Sequence, residues 1–220
     1  TNATRLVGTG QGERSDALGL YLAQWNGIGA VVVAQDRAAQ NDGSELGPGA
    51  LRMARRGFAL AVELRLPLIT IVDTAGAELS VAAEQGGLAG EIARCLSELT
   101  TLPVPTVSVL LGMGCGGGAL ALLPADRVVA AAHAWVSPLP LEGASVIRYR
   151  TPDRAADMAR SQRVAAWQLA ESGIVDVVVP EYPDAAQEPE EFCRRVSDTV
   201  STALADLIRS DEVTRLSTRT

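Results

Sequence analysis

Two rhythms of apolar positions run along the chain, and together they predict a layered α/β fold. Residues 66–76, "LPLITIVDTAG", and 104–114, "VPTVSVLLGMG", are apolar stretches rich in β-branched residues, each with a proline at its start and a glycine-containing loop at its end. They align at an offset of 38 residues. Unbroken apolar runs of this length read as strands buried on both faces. Each is followed by helical periodicity, over 82–99 and 116–123, so the strands should pair in parallel. Upstream, "GAVVVAQD" (29–36) reads as a further strand. "LRMARRGFALAVELRL" reads as a helix entered through Gly47, Pro48 and Gly49. Its core face carries Leu51, Ala54, Phe58, Ala61 and Val62, and the other face Arg52, Arg55 and Arg56. Downstream, "DRVVAAAHAWVS" reads as one strand or two short ones, "SQRVAAWQLAES" as a helix stopped by Gly173, and 174–179 as a strand. A helix from Pro189 to about Arg209 lies in a charged region with few bulky groups, which reads as a lid, a partner-docking helix or a partly disordered tail. No shift of composition divides residues 5–180, which gives one domain over 1–181 and a charged C-terminal helix and tail over 182–220.

At 220 residues and 47% hydrophobic content, the chain has enough apolar material for a real core. A net charge of -7 argues against a general nucleic-acid binder and against a polybasic membrane anchor. Three widely spaced cysteines and a single histidine exclude a Cys/His zinc framework, so no metal is expected, and a reducing, cytoplasmic setting is the default. Residues 99–125 carry no charge, but Pro103, Pro105, Pro124 and a glycine cluster would break a membrane-spanning helix. No signal peptide is visible. The chain opens on Thr1 rather than methionine, as expected of a chain processed, tagged or cut from a longer one.

The stretch "LLGMGCGGGALALLPAD" places five glycines within residues 112–118, inside an apolar run. Glycine so dense is entropically costly to order, so it should serve unusual backbone angles or close approach to the main chain. A P-loop would need Lys followed by Ser or Thr, and Gly118 is followed by Ala119, Leu120 and Ala121. "GMGCGG" matches a dinucleotide fingerprint formally, but Asp126 is the best available ribose-binding acid and is poorly placed. Two readings stay open: an oxyanion hole built of backbone N–H groups, or plain close packing of helix on strand.

Side chains suited to chemistry are few. Cys115 has no nearby base in sequence and reads as a small filler, and His133, in an alanine-rich strand, reads as structural. Asp73 either caps its loop or orients a reacting group. Arg52, Arg55 and Arg56 form a solvated helix face or meet the phosphates of a ligand or a partner protein. Trp25, Trp135 and Trp167 read as core or interface anchors.

Several motifs in order, D-T-x-G-A (73–77), the glycine loop closing in G-G-A-L-A (117–121), "EGAS" (142–145) and "GIVDVVVPE" (173–181), make the chain resemble the carboxyltransferase component of biotin-dependent acyl-CoA carboxylases. It is most similar to the alpha-type half of acetyl-CoA carboxylase. The resemblance implies a single-domain crotonase-like fold of ββα units wound into a spiral. It also implies transfer of a carboxyl group from carboxybiotin, carried on a separate protein, to an acyl-CoA such as acetyl-CoA, in fatty acid biosynthesis. By position, the Gly118 and Ala119 amides would hold the ureido oxygen of biotin. Gly116 and Gly117 would shape the turn, Gly76 and Ala77 the site wall, and Glu142 and Gly143 a further binding edge. The biotin anion could itself assist deprotonation, so no general-base side chain is required. Implied partners are a second carboxyltransferase half that binds acyl-CoA, a biotin carboxyl carrier protein and biotin carboxylase, in an oligomer; neither nucleic acid nor membrane is implied. Ala75 replaces the proline usual in the D-T-P-G loop, and Pro140-Leu141-Glu142-Gly143 replaces S-P-E-G, which should displace that turn. The chain has length for one of the two halves, so the acyl-CoA oxyanion hole should lie in a partner subunit or a missing segment. Two alternatives accompany this reading: a malonate decarboxylase-type subunit of the same superfamily, and a non-catalytic crotonase-like subunit of a complex.

Overall fold

The computed structural model describes residues 2–8, 13–210 and 215; the predicted tail beyond residue 210 lies, apart from residue 215, outside them. β1 (Asn2–Leu6), β2 (Leu18–Trp25) and β3 (Ile28–Gln35) form an antiparallel meander, followed by α1 (Arg37–Asn41) and α2 (Pro48–Leu64). β4 (Leu68–Thr74), α3 (Val81–Gln85), α4 (Leu88–Thr100), β5 (Thr106–Cys115) and α5 (Gly116–Leu120) come next. β6 (Arg127–Ala131), β7 (Trp135–Ser137), α6 (Leu141–Tyr149), α7 (Ala155–Gln162), α8 (Ala166–Glu171), β8 (Val177–Val179) and α9 (Pro189–Arg209) complete the fold. The sheet order is β1-β2-β3-β4-β5-β6-β8, parallel from β3 onward, with β7 extending the line of β6 beside the end of β5.

The 38-residue repeat is the strand register itself. Leu68 lies opposite Thr106 and Ile69 opposite Val107, a spacing of 38, whereas Thr74 lies opposite Gly114, a spacing of 40. β5 therefore carries a bulge where the glycines begin, and that bulge frees a backbone amide which must find another acceptor. Asp73 supplies it: its Oδ1 accepts the Met113 amide at 3.0 Å.

Strand parity assigns the two faces of the sheet. Leu20, Val31 and Val33 face α2, where a Cβ on Gly57 would stand 2.6 Å from Val33 Cγ2 and 2.8 Å from Leu20 Cδ1. Ile71 and Val109 face the other way, toward Phe192 and Val196 of α9. Phe192, Val196, Val200, Leu204 and Leu207 are buried at a spacing of three to four, and the Trp25 indole donates to the Ser197 carbonyl. α9 is thus a packed layer of the fold, not the lid or loose tail its charge suggested. Its apolar stripe is narrow, but one continuous row is enough to cover a sheet face.

Other expectations are corrected in detail. Val62 is exposed at the end of α2, and Ala50, Met53 and Gly57 take core positions instead. The helix predicted over 82–99 is divided by Gly86 and Gly87, the latter at φ 84°, so that α4 starts afresh. The helix predicted from 161 breaks at Arg163, whose φ of 55° ends α7 before α8 begins. β1, β2, α6 and α7 were not anticipated. The clearest missed signal is Asn26-Gly27 between two apolar runs; both residues adopt positive φ, 47° and 88°, as a two-residue type I′ hairpin requires.

Because both atoms facing Gly57 belong to fully buried side chains, Gly57→Ala should overpack this seam by more than its gain in helix propensity. A loss of about 1–2 kcal/mol is expected, read as a lower urea midpoint at unchanged slope.

Candidate functional site

The parallel strands all end at one edge of the sheet, and there the chain collects its glycine turn, the D-T-x-G-A loop and the start of α6. Loops at the carboxyl ends of parallel strands are where α/β sheets place their ligands. α5 follows β5 with no intervening loop, with Cys115 as N-cap and Gly116 at φ 61°. In a helix the first amide with an intrahelical acceptor is that of the fourth position, here Ala119. The amides of Gly116, Gly117 and Gly118 have no helical acceptor. Gly116 and Gly117 are partly exposed, whereas Gly118 and Ala119 are buried.

Gly118 backs onto the D-T-x-G-A loop. A Cβ there would stand 2.9 Å from the Ala77 nitrogen, 3.1 Å from the Gly76 carbonyl carbon and 2.8 Å from Leu46 Cδ2. The loop is held from inside by Thr74, whose buried hydroxyl accepts the Gly76 amide at 3.1 Å and bonds the Gln40 carboxamide at 2.7 Å. Ala75 in place of proline leaves this arrangement closed. Beyond the loop lies a hollow of about 260 Å³ lined in part by Gln40, Gly76, Ala77 and Glu78.

On the other flank, β7 runs beside residues 113–115 and delivers Pro138, whose carbonyl lies 3.8 Å from the missing Cβ of Gly116. Glu142 and Gly143 are exposed in the first turn of α6, whose N-cap is Pro140. The P-L-E-G sequence therefore starts a helix, and Glu142 is near enough to Cys115 to influence its ionisation. The structure thus gathers Gly76, Ala77, Gly116, Gly117, Gly118, Ala119 and Glu142 around one turn.

Gln35, at the end of β3, is the residue that sequence reasoning missed. Its side chain joins the two motifs: Nε2 donates to the Gly118 carbonyl at 2.7 Å and Oε1 accepts the Asp73 amide at 3.1 Å. The available signal was a polar residue closing a strand otherwise apolar through "AVVVA".

The remaining candidates take structural places. Cys115 is buried, and burial first, then Glu142, pushes its thiol upward. Cys95 is buried beneath α2, where burial pushes its thiol up to about 12. His133 sits in the β6–β7 turn rather than within a strand, its Nδ1 3.2 Å from Glu181. His133, Glu181 and Asp184 could present ligand atoms within 4.8 Å of one another, but the Glu181 carboxylate already accepts the His133 and Ala185 amides. Trp167 is exposed and so is no core anchor.

The three arginines of α2 are half-buried, and each is engaged. Arg52 pairs with Glu13 and Glu91, and Arg55 with Glu91 and Glu98, while Arg56 donates to the Val7 and Gly8 carbonyls. A hollow of about 660 Å³ follows this seam, away from the glycine turn. Among the described residues, no helix is long and apolar enough to cross a membrane.

Comparisons with known proteins give a consistent pattern. The family model described as acetyl co-enzyme A carboxylase carboxyltransferase-like matches residues 2–220. A probable biotin-dependent acyl-coenzyme A carboxylase beta3 subunit of Mycobacterium tuberculosis is 54% identical over 219 residues, which is 100% of this chain and 44% of that protein. The acetyl-coenzyme A carboxylase carboxyl transferase subunit alpha of Rhodospirillum centenum is 36% identical over 200 residues, covering 88% of this chain and 63% of that subunit. The chain thus spans about half the length of these relatives. A Pseudomonas malonate decarboxylase hetero-tetramer, solved with coenzyme A, superposes with a TM-score of 0.75 at 19% identity, over 94% of this chain and 85% of that one. This last likeness is one of fold, and it bears out the crotonase-like architecture.

Thiol chemistry checks the burial of the site. In the native protein a thiol reagent should label Cys193, which is exposed, and spare Cys95 and Cys115 until the chain unfolds. The raised Cys95 thiol also gives stability a sign. The folded state holds this proton more tightly, so its contribution is present below about pH 8.5 and is lost as pH rises toward the folded value. Denaturant midpoints should therefore fall between about pH 8 and about pH 10, and fall less in Cys95→Ala.

Proposed function

We propose, from the premise that the chain belongs to the acetyl co-enzyme A carboxylase carboxyltransferase-like family, that it forms the biotin-side half of a carboxyl-transfer site in a biotin-dependent acyl-CoA carboxylase. The observation that carries this reading is the packing of the Gly118 main chain against the Gly76–Ala77 peptide, at the edge where the motifs meet and where the Gly116, Gly117 and Gly118 amides have no helical acceptor. The donor set fits biotin. Its ureido oxygen is a neutral acceptor that gains negative charge, and fixed amides stabilise such charge without reorganising.

Carboxybiotin, on its separate carrier, supplies the activated carboxyl group when bound. The chain's own role is to hold the ureido oxygen with the Gly118 and Ala119 amides. The Ala119 N–H, the first in α5 with an intrahelical acceptor, would be shared between the Cys115 carbonyl and the oxyanion. Gly116, with only the Pro138 carbonyl at 3.8 Å from its missing Cβ, keeps the approach open, and Gly76, Ala77, Glu142 and Gly143 wall it. Acetyl-CoA is the proposed acceptor, bound by a second carboxyltransferase half that contributes its own oxyanion hole. Exposed Leu79, Val81 and Ile147 give apolar surface for that partner. The biotin carboxyl carrier protein and biotin carboxylase complete a cytoplasmic oligomer.

A second reading, a malonate decarboxylase-type subunit, has the fold likeness to the Pseudomonas malonate decarboxylase chain in its favour. Mixing the chain with its partner half, carboxylated biotin and acetyl-CoA separates these. Transfer that needs both proteins supports the first reading and biotin-independent release of CO2 from malonyl groups the second. Assembly without turnover would leave a non-catalytic subunit.

Within the assembled enzyme, Gly118→Ala must push apart a pair of backbone segments, whereas Gly117→Ala meets only the flexible end of Ile92 at 2.7 Å. Transfer should fall by about 100-fold in the first and only a few-fold in the second. A near-normal rate in Gly118→Ala rejects the assigned role.

A further inference from the structure

Gln35 is 6% exposed, and both ends of its carboxamide are used. The opposite orientation would set oxygen against the Gly118 carbonyl and N–H against the Asp73 amide, so its neighbours fix which end faces which. The Gly118 carbonyl needs this donor. α5 ends at Leu120, the Ala121 amide bonds the Gly117 carbonyl at 3.0 Å, and the Leu122 amide turns back to the Ala119 carbonyl at 3.0 Å. The helix thus passes over Gly118, and Gln35 fills the place from a different strand.

A peptide unit is planar, with its carbonyl and N–H on opposite sides. Pinning the Gly118 oxygen therefore sets the direction of the Ala119 N–H. The other end of Gln35 ties that plane to the Asp73 amide, and Asp73 Oδ1 in turn holds the Met113 amide across the β5 bulge. We propose that Gln35 is a positioning residue that aims the Ala119 amide at the developing oxyanion and locks it in register with the D-T-x-G-A loop. The inference rests on the reading of the turn as an oxyanion cradle. Asparagine is one methylene too short for this span, ionised glutamate lacks the donor, and methionine fills the volume with neither bond.

The test compares Gln35→Met, Gln35→Glu, Thr106→Val and Gly118→Ala in the assembled carboxyltransferase. Thr106→Val removes a buried hydroxyl that bonds Asp126 at the far end of β5, and so controls for lost stability. Gln35→Met should lower kcat about tenfold or more with KM for acetyl-CoA little changed, while Thr106→Val keeps its kcat at a comparable loss of Tm. Gln35→Glu can donate only when protonated. Its rate should therefore fall with rising pH through the glutamate's ionisation, a limb the parent enzyme lacks. Amide hydrogen exchange at Ala119 should change in Gln35→Met and not in Thr106→Val. The assignment to Gln35 is overturned if Gln35→Met loses no more kcat than Thr106→Val, or if Gln35→Glu follows the parent pH profile, while Gly118→Ala is still impaired. Full activity in Gly118→Ala would instead sink the cradle itself.

Discussion

Two stretches of main chain, at Gly118 and at Gly76–Ala77, lie closer together than any side chain would permit. This contact requires the rest of the local structure. It needs β4 and β5 to be adjacent and parallel, so that their loops emerge at one edge. It needs the register to slip by two residues near the strand ends, so that the glycine turn swings over its neighbour's loop. It also needs polar side chains beneath to satisfy the backbone groups that the slip releases: Asp73 for Met113, Thr74 for Gly76 and Gln35 for Gly118. Five glycines in seven positions are entropically costly, and the bulge, the left-handed Gly116 and the Gly118 contact together account for why the chain tolerates them.

The opposite side of the turn is stiffened by charge. Glu91, almost wholly buried at the start of α4, receives Arg52 and Arg55 from α2 and Arg94 from its own helix. A carboxylate at that depth is tolerable only with such partners. Ile92, the next residue, packs over Gly117. The arginine row that looked available for phosphates therefore fixes the helix against which the glycine turn rests.

Elements governed by local pattern were legible in the sequence. The continuous apolar runs became β3, β4 and β5, the 38-residue offset became the register of β4 against β5, and the helix from Pro189 to Arg209 starts where its proline placed it. Breaks set by a single left-handed residue, Gly87 or Arg163, were invisible to periodicity, which averages over a window. β1 and β2 were missed because their pairing is local and their faces unevenly buried, although Asn26-Gly27 marked the hairpin. At the site, the proposed main-chain donors could be named from sequence because glycine marks the turn that carries them. Gln35 could not, because its role depends on three strands meeting far apart in sequence, and a lone polar residue at a strand end has many explanations. The role of α9 was misjudged because charge was weighed over the row from Phe192 to Leu207.

Every residue but proline carries an N–H, so the atoms proposed to face the anion in α5 are specified by no codon. Missense change at this turn can disable them mainly by adding bulk, as at Gly118, or by proline. Natural selection there would act on the absence of side chains rather than on the presence of a reactive one. Such a centre would tolerate a change beside it, such as Ala75 in the neighbouring loop, because no donor is carried by the side chain that changed.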